Sequence, residues 1–249
     1  MLAIIGGSGL TELASLEVMR RQIVRTPFGE PSGPLTFGHV GDVEVAFLAR
    51  HGYGHTLAPH EINYRANLWA LKEKGVTRVL SICTVGGITP AFGVGTLAIP
   101  DQIIDYTWGR RSTFFEGSEQ PVVHVDFTLP FCEATRGMIA AAAREAGVEV
   151  VPQGTYAAVQ GPRLETAAEV TRLERDGADL VGMTGMPEAA LARELDLPYA
   201  TLAVVANAAA GRGASARAIP MEDIAAVLKE AMGRVRRVVE KVAQRHGRS

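Results

Sequence analysis

Residues 2–10 read Leu-Ala-Ile-Ile-Gly-Gly-Ser-Gly-Leu, and this stretch decides how the chain is read. Ala3-Ile4-Ile5 has no polar face, and Gly6-Gly7-Ser8-Gly9 stops it at once, so it reads as a short buried strand. A strand apolar on both sides belongs inside a sheet that helices cover on both faces. Working outward, the same grammar recurs. Glu44–Leu48 is a strand ending at Arg50-His51, Arg78–Ile82 one ending near Gly86-Gly87, and Asp179–Met183 and Tyr199–Ala206 are two more. Leu97–Ile104 reads as a strand pair interrupted by Pro100, and Glu149–Val159 as a strand broken by Gly154.

Between these runs the apolar period changes to that of a helix. Asn63–Lys74, Pro130–Ala146, Glu165–Asp176, Glu188–Leu195 and Met221–Gln244 fit it, and Gly147 and Gly177 stop the second and third. The last places Ile224, Val227, Leu228, Met232 and Val235 on one inner face. Strands alternating with helices give an α/β fold: a single domain over residues 1–249, with a mixed twisted sheet flanked by helices.

Bulk properties remove several classes of function. The 249 residues carry a formal net charge of -2. A nucleic-acid binder needs a basic surface to displace counterions, so nucleic acid is not an expected partner. No apolar run is long enough to span a bilayer, and no basic, then apolar, leader precedes Gly6; no membrane partner is expected. Cys83 and Cys132 are the two cysteines. Without a targeting segment they read as free thiols of a cytoplasmic protein.

Functional residues of such a sheet gather just beyond the strand ends. Gly6–Gly9 can bring backbone N–H groups and the Ser8 hydroxyl to an anion, or can be a tight turn; it closes with neither the Lys of a phosphate-binding P-loop nor the third glycine of a dinucleotide site. Arg50 supplies a planar fork suited to phosphate, with His51 beside it. His55 and His60 lie nearby, but metal-ligand spacing is missing, so phosphate is favoured over metal there. Glu165 and Thr166 read as a turn at a helix start. Met183-Thr184 reads equally as a sugar and phosphate clamp or as a core methionine beside an N-cap. Asn207, ending a buried strand, must find a partner in the protein or a ligand.

Each motif alone is ambiguous, but their order is not. IIGGSGL, TPFGEPS, LARHGYGH, INYRANLWALKEKGV, CTVGGI, LPFCEATR, QGPRLET, MTGMPEAALARE and YATLAVVANAAAG together resemble the trimeric purine nucleoside phosphorylase superfamily, in the branch containing methylthioadenosine phosphorylase. The resemblance implies a homotrimer that binds a nucleoside and uses inorganic phosphate as co-substrate, with no cofactor and no metal. It implies that Ser8, Arg50, His51, Cys83, Thr84 and Thr184 surround the phosphate, although Thr or Asn is commoner at position 83. It puts Met183 under the ribose, Leu164 and Glu165 beside the base, and His124 in a neighbouring subunit's 5′ pocket.

Three positions then bear on the substrate. The adenine-specific branch has Asp where this chain has Asn207 and a second Asp where it has Ala209. That branch also has Ser in place of Glu165. A carboxylate at 165 can accept the N1–H of a 6-oxopurine, whereas it would face the lone pair of adenine unpaired. At 221 the general purine enzymes have a His for the ribose 5′-hydroxyl; Met221, with Ile224 and Ala225, makes an apolar pocket suited to a thioether. The resemblance therefore implies phosphorolysis of a 5′-methylthio-6-oxopurine nucleoside to hypoxanthine and 5-methylthioribose 1-phosphate, with Asn207, His51 and Arg50 as the catalytic groups. An inosine/guanosine phosphorylase, a methylthioadenosine phosphorylase and an inactive nucleoside-binding protein are the alternatives.

Overall fold

The computed structural model describes residues 1–10, 13, 15–118 and 121–248. In chain order the elements are β1 (Leu2–Gly6), β2 (Glu17–Gln22), β3 (Leu35–Val40), β4 (Val43–Ala49), α1 (Tyr64–Glu73), β5 (Arg78–Gly87), β6 (Leu97–Ala98), β7 (Gln102–Asp105), α2 (Glu133–Glu145), β8 (Thr155–Ala158), α3 (Ala167–Arg175), β9 (Leu180–Gly182), α4 (Gly185–Glu194), β10 (Tyr199–Ala208) and α5 (Met221–Gly247). The strands form one sheet in the order β2-β3-β4-β1-β5-β9-β8-β7, with β10 and then β6 branching from β5. Parallel pairs (β1 with β4 and β5, β10 with β5) mix with antiparallel ones (β2 with β3, β3 with β4), so the sheet is mixed as expected.

The two-residue period of a strand sorts its side chains between two cores. Ala3 and Ile5 enter one, with Leu68 and Leu71 of α1 and Ala189, Leu191 and Ala192 of α4. Leu2 and Ile4 enter the other, with Ile139 and Ala142 of α2 and Leu228, Met232, Val235 and Val239 of α5. Helices α1 and α4 thus cover one face and α2 and α5 the other, while Val170 and Leu173 of α3 join a smaller cluster with Ala157 of β8 and Val181 of β9.

Several elements differ from the expectation. β2 and β3 form an antiparallel extension that the sequence did not announce. β2 is almost wholly exposed and lacks an apolar face, and β3 is interrupted by Gly38. The expected strand over 149–159 shrinks to β8, with Val151 making only an isolated bridge to Ala98. Helix α2 starts at Glu133 rather than Pro130. Helix α3 starts at Ala167, because the Thr166 side chain caps Glu169 N–H while Glu169 returns a bond to Thr166 N–H. That capping box leaves Glu165 outside the helix.

One feature of β5 positions everything that follows. Its first half is flanked by β1 on one edge, up to the pair Ile5–Ser81, and by β10 on the other. At Gly86-Gly87 the first edge is taken over by β9, running antiparallel. Between Ser81 and Gly86 the sheet splits, because β1 has already turned away through Gly6-Gly7. A side chain cannot fit in that turn: a Cβ on Gly6 would lie 2.1 Å from Leu10 O, and one on Gly7 2.6 Å from Ile82 O.

Candidate active site

The split opens into a cavity of about 450 Å³, a usual size for a small-molecule site. Strand ends supply its walls: Gly7 and Ser8 after β1, Arg50 and His51 after β4, Thr84–Gly86 of β5, Gly182–Thr184 after β9 and Asn207 of β10. The loop before α3 adds Leu164 and Glu165, and the first turn of α5 adds Met221 and Ile224.

Arg50 sits at the split itself and is 0% exposed. Its Nε and one Nη2 N–H donate to Glu188, at 2.7 and 2.9 Å, and its second Nη2 N–H donates to Ser81 Oγ at 2.6 Å. Nη1 donates to Ile82 O at 3.0 Å. That carbonyl lies where β5 has lost its β1 partner, so the guanidinium replaces a missing strand bond. Four of the five N–H groups of Arg50 are thus committed. Burial is the largest single influence and opposes the charge, but the Glu188 ion pair and hydrogen bond, with Cys83 and Tyr199 beside it, together raise the Arg50 pKa well above its ordinary value.

His51 gives its Nδ1–H to Leu57 O at 2.8 Å; a carbonyl only accepts, so this bond fixes the tautomer. Burial, reinforced by the neighbouring Arg50 and His55 charges, pushes its pKa down to about 4. The ring is therefore neutral at neutral pH, with Nε2 carrying a lone pair. Ser8 Oγ lies 3.5 Å from His55 Nε2, and Thr84 Oγ1 donates to Ser8 O at 3.0 Å, pinning the glycine turn to β5. Thr184 precedes α4 without making a side-chain cap; its hydroxyl lies 3.5 Å from Cys83 Sγ.

Asn207 follows a register shift in the β10–β5 ladder between Val205 and Asn207. The irregularity carries its side chain to the cavity wall, where Nδ2 donates to Ala208 O at 2.7 Å. Glu165 has its pKa raised, chiefly by burial. It also borders a second cavity of about 440 Å³, which contains none of the strand-end cluster at the split.

A model of the phosphorylase superfamily matches residues 1–244. The chain belongs to that superfamily. It is 50% identical over 240 residues to a probable S-methyl-5′-thioinosine phosphorylase of Pseudomonas syringae pv. tomato, covering 96% of this chain and 97% of that one. It is 51% identical over 215 residues to a 6-oxopurine nucleoside phosphorylase of Pyrococcus furiosus, covering 84% of this chain and 80% of that one. Among solved structures it is similar to methylthioadenosine phosphorylase from Schistosoma mansoni in complex with adenine, with a TM-score of 0.96 at 32% identity, over 100% of this chain and 92% of that one. The family accounts for a mixed sheet with paired helices on both faces and for the clustering of the ordered motifs at strand ends.

Of the residues expected at a site, Ser8, Arg50, His51, Thr84, Leu164, Glu165, Met183, Thr184, Asn207, Met221 and Ile224 line this one cavity. The others do not. Cys83 is buried behind the wall, 1% exposed, between Ser81 and Thr184. Ala209 is fully buried, its N–H bonded to Gly87 O, and lies behind Gly86 rather than beside Asn207 in the cavity. Ala225 is exposed on α5, one residue past the inward-facing Ile224, and His124 is exposed and away from the cavity of its own chain. Arg50 also needs correction as an open phosphate fork, since its paired N–H groups grip Glu188 and Ser81, and a single Nη1 N–H remains.

Sequence reasoning missed Glu188, Ser81 and Tyr199 as a buried polar group around Arg50, and it missed Arg110. Glu188 looks like an ordinary helix-start carboxylate; its partner lies 138 residues away, and no local pattern marks the pair.

Proposed function

We propose that this chain cleaves S-methyl-5′-thioinosine with inorganic phosphate, releasing hypoxanthine and 5-methylthioribose 1-phosphate. The observation that carries the reading is that Glu165, Asn207 and Met221, distant in sequence, line a single cavity beside the polar cluster at the split of β5. Their chemistry matches the three parts of that substrate.

Phosphate sits among Ser8, Thr84, Thr184, His51 and the remaining N–H of Arg50. Neutral His51 accepts the phosphate's own O–H through Nε2, while the Ser8 and Thr184 hydroxyls and Arg50 donate to its charged oxygens. A phosphate oxygen then attacks C1′ as the C1′–N9 bond breaks and its electron pair moves onto the purine. Positioning the reactants converts a bimolecular encounter into a unimolecular step. Asn207 donates to the purine as it gains negative charge, and Glu165 accepts the N1–H. A donor fixed where charge develops is the kind of group that contributes most to such reactions. Met183 packs under the ribose. Met221 and Ile224 receive the methylthio group, where a hydroxyl would lose a hydrogen bond.

Met221 is 63% exposed in the single chain, which fits a homotrimer in which a neighbour, through His124, closes the 5′ side. The reading includes a cytoplasmic protein in which Cys83 and Cys132 are unpaired. No helix among the described residues is long and apolar enough to cross a membrane.

The test is initial rates with phosphate on methylthioinosine, inosine and methylthioadenosine at equal low concentration. Preference for methylthioinosine supports the reading. Preference for inosine removes the methylthio pocket, and preference for methylthioadenosine removes the base assignment.

A further inference from the structure

Arg110 lies between β7 and α2, in a segment whose described residues form no helix or strand, and it makes no ion pair with a carboxylate among the described residues. Its guanidinium binds carbonyls instead. Nη1 donates to Met183 O and Met186 O, both at 2.7 Å, and reaches Tyr64 OH at 3.3 Å. Nη2 donates to Gln160 O at 2.7 Å and Val159 O at 3.3 Å, and Nε to the Gln160 side chain at 3.2 Å.

The place of this grip matters. Strands β8 and β9 are joined by a parallel ladder that ends at Ala158–Gly182, with one more bond from Val159 N–H to Gly182 O. Beyond it the two segments diverge. One becomes the loop 159–165 that presents Leu164 and Glu165; the other presents Met183 and Thr184 and then enters the first residues of α4. Arg110 begins where the ladder stops, holding carbonyls of both segments with one rigid planar group. An ammonium has neither the fork nor the span to do this.

We propose that Arg110 is a positioning residue that fixes the distance between the base loop and the ribose turn, so that Glu165 and Met183 engage one nucleoside together. The proposal rests on the reading of the cavity given above and adds a residue that touches no substrate. A misplacement of about 1 Å in such a frame can cost roughly a hundredfold in rate.

The experiment compares wild type with Arg110→Lys and Arg110→Ala, well below their unfolding temperatures. It measures KM for nucleoside, KM for phosphate and the ratio of kcat/KM for 6-oxopurine over 6-aminopurine nucleosides. The expected result is a nucleoside kcat/KM lower by about tenfold or more in both variants and a reduced 6-oxo to 6-amino ratio, with phosphate KM changed by less than about threefold. Added guanidinium ion, at concentrations too low to unfold the protein, should restore part of the activity and of the ratio to Arg110→Ala. A purely structural role would lower activity only in proportion to folded protein, leaving the ratio and the nucleoside KM unchanged, and that result overturns the proposal. If wild type itself fails to turn over 6-oxopurine nucleosides, the cavity reading is what fails, and the positioning role falls with it.

Discussion

Glu188 holds Arg50 in a two-pronged ion pair at 2.7 and 2.9 Å, with the arginine side chain 1% exposed and the glutamate 0%. The same carboxylate accepts hydrogen bonds from Ser81 Oγ and Tyr199 OH, both at 2.8 Å. The cluster draws together the residue after β4, the middle of β5, the start of β10 and the first turn of α4 where the sheet splits. Arg50 therefore reaches the cavity in one orientation only, set by Glu188 rather than by a ligand.

Replacing Glu188 with Gln keeps the volume and removes the counter-charge, leaving a buried guanidinium unpaired. Stability to urea is expected to fall by about 3–5 kcal/mol. KM for phosphate should rise as well, because the free Nη1 N–H loses its fixed aim. The Arg50→Met, Glu188→Met double variant should recover much of the stability without recovering turnover. A Glu188→Gln protein as stable as wild type would show that the pair does not carry this load.

His51 is expected to stay neutral down to about pH 5, since burial holds its pKa near 4. Histidine ring NMR on the free protein, with His51→Gln to assign the signal, reads this directly. It should also report the tautomer with the proton on Nδ1. A midpoint near the ordinary histidine value of about 6.5 would mean that the imidazolium populates the site and donates to phosphate instead.

The layering of the fold was legible because β1, β5 and β10 are apolar enough to declare themselves buried, and the amphipathic helices between them declare the cover. β2 was not, because an exposed edge strand such as Glu17–Gln22 has no apolar alternation to read. The cavity-lining residues came from ordered motifs, since strand-end positions are local features of sequence. The partners of those residues were not legible. Nothing near Arg50 in the chain points to Glu188 or Ser81, and nothing near Arg110 points to the carbonyls of Gln160 and Met183, because backbone acceptors leave no mark in composition. Cys83 and Ala209, expected beside the ligand from the resemblance, lie outside the cavity lining, because an ordered motif gives a residue's place in the chain but not which side chains the split exposes.

Met221 begins α5 on the cavity rim, where a larger polar side chain meets no core packing. Met221→His is expected to turn the preference from methylthioinosine towards inosine by roughly tenfold or more, because an imidazole can bond a 5′-hydroxyl and an apolar thioether leaves it unpaired. Competition between the two nucleosides in one reaction measures the ratio. An unchanged ratio would remove Met221 from the 5′ site, whatever the absolute rates.

The Glu165 carboxyl titrates above the ordinary glutamate range, chiefly through burial, and two consequences of opposite sign follow. Its ionised form is the one that accepts N1–H, so kcat/KM for a 6-oxopurine nucleoside should decline as pH falls through the raised pKa. Glu165→Gln should lower kcat/KM near neutral pH by about tenfold, in line with loss of a hydrogen bond to a charged group, and should shift or abolish that acid limb. Stability runs the other way. A folded-state pKa above the unfolded one means that the stabilising contribution is complete at low pH and is lost as pH rises through the folded value. At neutral pH the ionised Glu165 thus weakens the fold, and Glu165→Gln should melt no lower than wild type while being the poorer catalyst. A shared acid limb in the two proteins would assign that limb to another group, and a variant that is both less stable and equally active would reverse the role given to Glu165.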